Sequence, residues 1–210
     1  MWSLAGTWYS TVDSSGSLCL IPISKILLSK RTRFQRLEIF ESPVFGLCLV
    51  LDGLIQVAEL DEYRYHETLV HTALLNVTDP HDVAIIGGGD GFALREALRH
   101  RSIDHVDLVD LDSGVVKACK AQLASLNKGS LSDPRARLHF ADGRRFLSGK
   151  RGRYDAIILD ATDPTAGGPS LLLYSTDFYS IVRSALKSHG VMITQATALE
   201  GPSAPIRVSV

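Results

Sequence analysis

A doubly wound parallel α/β sheet, preceded by a small antiparallel β lobe, is the fold class this sequence predicts. Three observations lead there. β-like and helical stretches alternate from Val83 to Thr194. A glycine-rich turn, Gly87 to Gly91, joins the first of those strands to the first of those helices. Three short β-like runs with turn residues between them stand ahead of it, between Arg33 and Glu59. Alternation of this kind places helices on both faces of a parallel sheet, whereas closely spaced runs with tight turns make an antiparallel one.

Residues 1–30 show no clear periodicity and carry a Ser/Gly stretch from Ser10 to Ser17, so they are expected to be irregular. The lobe, residues 31–60, holds the runs Leu37–Glu41, Leu47–Leu51 and Leu54–Val57. Ser42-Pro43 marks one turn, and Asp52-Gly53 is a strong signal for a two-residue hairpin turn. Asp61 to Asn76 reads as a helix, with Asp61 as N-cap and Tyr65, Leu69, Thr72 and Leu75 or Asn76 at near-helical spacing.

The catalytic-type domain is expected over residues 61–199. Its strands are predicted at Val83–Ile86, Val106–Val109, Arg137–Phe140, Ala156–Leu159 and Val191–Thr194. Its helices are predicted at Phe92–His100, Ser113–Leu126 and Ser175–Lys187, with a helical turn at Arg144–Leu147. Residues 200–210 read as an irregular tail, and the C-terminal elements that complete a sheet of this type are expected to be missing.

Composition excludes more than it selects. The chain has 210 residues, 45% hydrophobic and 21% charged, as in ordinary globular proteins. A formal net charge of -1 with scattered basic residues gives no reason to expect nucleic-acid binding. Cys19, Cys48 and Cys119 show neither CxxC nor Cys/His spacing, which points to thiols in a reducing compartment. The apolar run Leu18 to Leu28 is interrupted by Pro22, Ser24 and Lys25, and it falls short of the ~20 residues a membrane span needs. A cytoplasmic protein without a membrane segment is therefore expected. The seven histidines lack HxxxH and HExxH spacing, which argues against a metal site.

Chemistry concentrates at the predicted carboxyl ends of the strands, where open α/β sheets bind ligands. Gly87, Gly88, Gly89 and Gly91 let the backbone approach a ligand and adopt positive φ, and the following helix offers free N–H groups. Their GxGxG spacing differs from the GxGxxG of a dinucleotide site, and Asp110 at the end of the next strand suits ribose hydroxyls. Together they favour a nucleoside-type ligand. A carboxylate at Asp90 would repel a phosphate or an amino-acid carboxylate and attract an amine, by on the order of a few kcal/mol where partly desolvated. A cap on the helix at Phe92 is its second reading.

Asp160 and Asp163 follow the fourth strand; one carboxylate can bind a cationic amine while the other accepts its proton. Asp163-Pro164 also reads as a turn initiator. Asp142-Gly143 ends the third strand and suits an exocyclic amino group, or else a helix cap. Five acids on one rim form a local field that would concentrate a polycation. His66, beside Tyr65, either contacts such a substrate or packs.

With these residues in view, the sequence resembles the polyamine aminopropyltransferases, the spermidine and spermine synthases, from about Arg33 to Ala198. The landmarks are Leu51-Asp-Gly-Leu-Ile-Gln56, Asp61-Glu-Tyr-Arg-Tyr-His-Glu67, Ile86-Gly-Gly-Gly-Asp-Gly91, Asp142-Gly143, Asp160-Ala-Thr-Asp-Pro164 and Tyr174-Ser-Thr-Asp-Phe-Tyr179. The resemblance implies a Rossmann-like fold of the AdoMet-methyltransferase type. It also implies aminopropyl transfer from decarboxylated S-adenosylmethionine to putrescine or a related polyamine, giving spermidine and methylthioadenosine. Decarboxylated S-adenosylmethionine enters as co-substrate, with no cofactor and no metal.

By position, Gln35 would contact the nucleoside, and Tyr65 and His66 the polyamine. Asp90 would hold the aminopropyl amine, Asp110 the ribose, and Asp142 with Gly143 the adenine. Asp160 would accept the proton, and Asp163 would bind the acceptor amine. The resemblance also implies a homo-oligomer. Three departures stand out: a long loop after Asp163-Pro164, no recognisable opening hairpin, and little chain beyond the fifth strand. Two other readings stay open, an AdoMet-dependent methyltransferase and a non-catalytic binding homologue.

Overall fold

A computed structural model describes residues 6–12, 18–164 and 170–195. Residues up to Glu62 make one compact unit, and Tyr63–Gln195 make a second. None of the described helices is long and apolar enough to cross a membrane. The tail at 200–210 lies outside the described residues.

The first unit corrects the expectation of an irregular N-terminus. β1 (Thr7–Val12) and β2 (Leu18–Ile23) pair as an antiparallel hairpin, and β3 (Lys25–Arg31) pairs with β4 (Arg36–Ser42). Both polar residues and Pro22 hid these strands. Pro22 is tolerated because β2 has only one strand neighbour, so a missing N–H costs no ladder bond on the outer side. Ile21 then joins Phe40, Cys48 and Val50 in a small core, and the Tyr9 and Phe40 rings stand 5.1 Å apart.

β4, β5 (Gly46–Leu51) and β6 (Leu54–Ala58) follow as the expected antiparallel meander. The Asp52-Gly53 turn has φ of 49° and 89°, positive at both central residues as a type I′ hairpin requires. Asp52 also accepts a hydrogen bond from the Arg36 amide at 2.8 Å.

α1 (Glu62–Leu74) opens the second part of the chain. Its buried stripe is His66, Leu69, Val70, Ala73 and Leu74, whereas Tyr65 and Leu75 are exposed. The helical period was legible, but its phase was shifted by one residue.

The second unit then alternates as predicted: β7 (Asp82–Gly87), α2 (Phe92–Leu98), β8 (His105–Asp110), α3 (Ser113–Gln122), β9 (Ala136–Phe140), α4 (Gly143–Leu147), β10 (Tyr154–Asp160), α5 (Thr176–Ala185) and β11 (Leu186–Thr194). The five strands lie in the order β11-β10-β7-β8-β9, all parallel. The interior residues of the three central strands, β10, β7 and β8, are almost wholly buried on both faces, which explains their continuous apolar runs, whereas the edge strands β9 and β11 are only partly buried. The winding direction reverses between β7 and β10. In such a sheet the ligand crevice lies at the carboxyl ends of that strand pair.

Candidate functional site

The reversal puts Gly87 directly opposite Asp160 in the β7–β10 ladder. Gly87 and Gly88 have φ of 86° and 66°, a left-handed region that favours glycine. A side chain on Gly87 would run into the Asp160 carbonyl, and one on Gly89 into the Asp110 carboxylate. The Gly88 amide donates to that same Asp160 carbonyl at 2.8 Å. The glycines are therefore needed for crowding as well as for backbone freedom.

Asp90 fulfils the second of the readings given to it, the helix cap. One carboxylate oxygen, Oδ1, accepts from the Phe92 amide at 2.9 Å and starts α2. The ligating atoms of Asp90, His66 and Asp160 also lie within 4.8 Å of one another. His66 is nearly fully buried, edge-on to Tyr65 and tilted against Phe92, so it packs and lines the site at once.

Asp160 is the centre of the cluster. Tyr65 Oη donates to Asp160 Oδ1 at 2.8 Å, while Oδ2 is buried with no hydrogen-bond partner among the described residues. Burial pushes the Asp160 carboxyl above the usual carboxylate range, and the His66 ring and the Tyr65 hydroxyl draw it partly back. Burial also raises the Tyr65 phenol, with the Asp160 charge adding to it. This phenol stays a donor at any physiological pH.

Asp110 stands next along the rim. Oδ1 accepts from the Asp112 amide at 2.7 Å, and burial pushes the group up to about 6 despite that bond. The Ala141 amide donates to the Asp110 carbonyl at 3.1 Å, which ties the end of β8 to the start of the turn after β9. There Asp142 accepts from the Arg145 amide at 3.0 Å and caps α4. Gly143 leaves no room for a side chain because Ile86 fills the space.

Asp163 is exposed, with Oδ1 accepting from Gln195 Nε2 at 3.0 Å. Gln195 also donates to the Ala161 carbonyl at 2.5 Å and to Tyr174 Oη at 3.2 Å. Burial pushes the Tyr174 phenol up to about 12, so it too stays protonated. Neither Tyr174 nor Gln195 was singled out as a site residue from sequence. Only the pairing of β11 with β10 brings Gln195 beside Asp163.

Gln35 belongs to the first unit, where its carbonyl accepts from the Thr32 amide at 2.8 Å in the turn between β3 and β4. The other predicted residues follow one another in strand order: Asp142, Asp110, the glycine turn with Asp90, Asp160, then Asp163. Chemically the row offers acceptors for an amino group and hydroxyls at one end. At the other it offers two carboxylates, one with a buried oxygen that has no hydrogen-bond partner among the described residues.

The family model for the "Spermine/spermidine synthase domain" matches residues 62–203, and that for the "Spermidine synthase tetramerisation domain" matches residues 7–59. The latter agrees with the hairpin found at the N-terminus. Polyamine aminopropyltransferase 2 of Hyperthermus butylicus is 41% identical over 94% of this chain and 63% of its own length. The polyamine aminopropyltransferase of Sulfolobus acidocaldarius is 41% identical over 91% and 64%.

Among solved structures, a spermidine synthase in complex with the transition-state analogue AdoDATO is 34% identical with a TM-score of 0.86, over 90% of this chain and 64% of that one. Spermidine synthase from Thermotoga maritima is 33% identical at the same TM-score, over 93% and 65%. The chain thus spans a little under two thirds of the length of these relatives. Matched over both units, it belongs to the spermine/spermidine synthase family.

Proposed function

We propose that this chain carries the machinery for aminopropyl transfer from decarboxylated S-adenosylmethionine to putrescine or a related polyamine, as in the relatives it resembles. The observation that carries the reading is the buried Asp160 Oδ2, without a hydrogen-bond partner among the described residues and within reach of Asp90 and His66. A buried carboxylate oxygen left without a donor is costly unless a ligand supplies one. An ammonium group does so.

In this reading Asp142 and Gly143 receive the adenine, Asp110 the ribose hydroxyls, and Asp90 the primary amine of the aminopropyl group. Asp163, with Tyr65 and His66, holds the acceptor polyamine. An amine is protonated at neutral pH and is no nucleophile until a base removes that proton. Asp160 takes it. The freed nitrogen lone pair attacks the aminopropyl carbon, the carbon–sulfur bond breaks, and its electron pair returns to the sulfonium sulfur. Methylthioadenosine leaves, with the proton on Asp160. The sulfonium needs no metal to depart, so the chain's own task is alignment of two cations.

The test is product formation. Purified protein given decarboxylated S-adenosylmethionine and a panel of diamines and polyamines should release methylthioadenosine, with rates that rank the acceptors. Absence of product with every acceptor, while the nucleoside still binds, would refute the activity of this chain. Calorimetry tests the ligand: S-adenosylmethionine should bind more weakly than its decarboxylated form, because its carboxylate meets Asp90.

Asp110 makes a further prediction. Its two oxygens both accept, and do so most strongly, only when the group is ionised, and burial holds it at about 6. Affinity for methylthioadenosine should therefore be full at alkaline pH and fall as pH drops through about 6. Asp110→Asn should remove that acid limb; a limb that persists would assign it elsewhere. Assembly into oligomers through the first unit also follows from the match to the tetramerisation domain, and a monomer in light scattering would refute it.

A further inference from the structure

Asn127 and Ser130 are polar, 1% and 5% exposed, and unused by the chemistry above. They lie in the connection between α3 and β9, on either side of Lys128 and Gly129, whose φ values of 52° and 70° are both left-handed. Asn127 Nδ2 donates to the Asp90 carbonyl at 3.0 Å, and Ser130 Oγ donates to the Gly91 carbonyl at 2.6 Å. The Gly129 amide donates to Asn127 Oδ1 at 3.1 Å, which decides which end of the Asn127 amide faces Asp90. Ser130 and Leu131 fill the space that a side chain at Gly91 would need.

A buried turn of irregular backbone has carbonyls with no strand partner, and each must find a donor elsewhere. Here the Asp90 carbonyl takes Asn127, and the Gly91 carbonyl, which also accepts from the Arg95 amide at 2.9 Å, takes Ser130. Both side-chain donors come from one short segment and act on the two residues that aim the Asp90 carboxylate. The front of the same turn is fixed by Asp90 Oδ1 on the Phe92 amide. With both sides held, the direction of the carboxylate is set before any ligand arrives. Such preorganisation matters most for a charge that must meet one particular atom.

We infer that Asn127 and Ser130 are positioning residues for Asp90, setting the direction in which its carboxylate meets a primary amine of the co-substrate. The inference rests on the assignment of Asp90 to that amine. A merely structural brace would serve the whole nucleoside pocket, whereas a brace for Asp90 serves only ligands that carry the amine. Decarboxylated S-adenosylmethionine has it and methylthioadenosine does not.

The experiment titrates both ligands into the full chain carrying Ser130→Ala, Asn127→Ala or Asp90→Asn. For the two alanine variants, affinity for decarboxylated S-adenosylmethionine should fall about five- to tenfold, the loss of roughly one hydrogen bond, and that for methylthioadenosine by less than about twofold. Asp90→Asn should show the same selectivity with a larger loss. If Asp90→Asn binds both ligands as the unaltered chain does, the assignment of Asp90 fails and the inference falls with it. If Asp90→Asn is selective but the alanine variants weaken both ligands equally, or neither, the assignment stands and the positioning role is overturned. Ser130→Ala keeps the test readable should Asn127→Ala not fold, because the Gly91 carbonyl retains its bond from the Arg95 amide at 2.9 Å.

Discussion

Asp160→Asn is expected to lower turnover by about 10²- to 10⁴-fold, the range that a positioned base contributes, with methylthioadenosine affinity changed by less than about twofold. The substitution keeps the size of the side chain and an oxygen for Tyr65, but removes the carboxylate proposed to take the proton. The sign of the pH effect follows from the environment. Burial raises the Asp160 carboxyl, and the base works only when ionised. Turnover should therefore fall as pH drops through a value above that of an ordinary aspartate, which is about 4. It should rise again on the alkaline side as the acceptor amine sheds its proton. Stopped-flow or single-turnover measurement of methylthioadenosine release checks both limbs. An Asn variant with near-normal turnover, or one that has lost nucleoside binding instead, would remove Asp160 from the role of base.

Gly87→Ala is expected to cost about 3 kcal/mol or more of stability and to abolish co-substrate binding. Two effects add at this position. A φ of 86° is unfavourable for any residue with a side chain, by about 1–2 kcal/mol. The added methyl also meets the Asp160 backbone carbonyl, which cannot rotate away as a side chain would. Gly149 provides the control, since its φ of 81° is equally left-handed but nothing lies within 4 Å of an added methyl. Gly149→Ala should cost only the conformational part, about 1–2 kcal/mol, and leave binding intact. Urea unfolding of the two variants side by side separates crowding from backbone preference. Equal losses would show that the approach of Asp160 to the glycine turn contributes nothing.

The second unit was legible because its three central strands, β7, β8 and β10, are buried on both faces and so read as continuous apolar runs, closed by Gly87, Asp110 and Asp160. That Asp90, Asp110, Asp142 and Asp160 would share one rim was legible from position, since the carboxyl ends of parallel strands converge there. The first unit was less legible. β1 and β2 carry Ser10, Thr11 and Pro22, and only pairing with each other and packing of Ile21 on Phe40 make them strands. In α1 the buried polar His66 shifted the apparent stripe, because periodicity arguments count apolar residues and a packed imidazole is not one. Gln195, Tyr174, Asn127 and Ser130 were missed as site residues for a common reason. Their partners are backbone carbonyls or side chains brought near by sheet order and loop geometry, and hydrogen bonds to backbone leave no signature in residue type.

The pairing of Gly87 with Asp160 also bears on when the site comes into existence. β7 and β10 are neighbours in the sheet, yet β8, α3 and β9 intervene in the chain, and Tyr65 and Asp160 stand 95 positions apart. Closing so long a loop must precede any gain from the contacts it brings, which places this ladder among the slow steps of folding. A nascent chain emerging as far as β9 can form β7, β8 and β9 but lacks Asp160, the partner of its glycine turn. The glycine turn and the carboxylates proposed to act beside it therefore come together in one cooperative event, rather than one after the other.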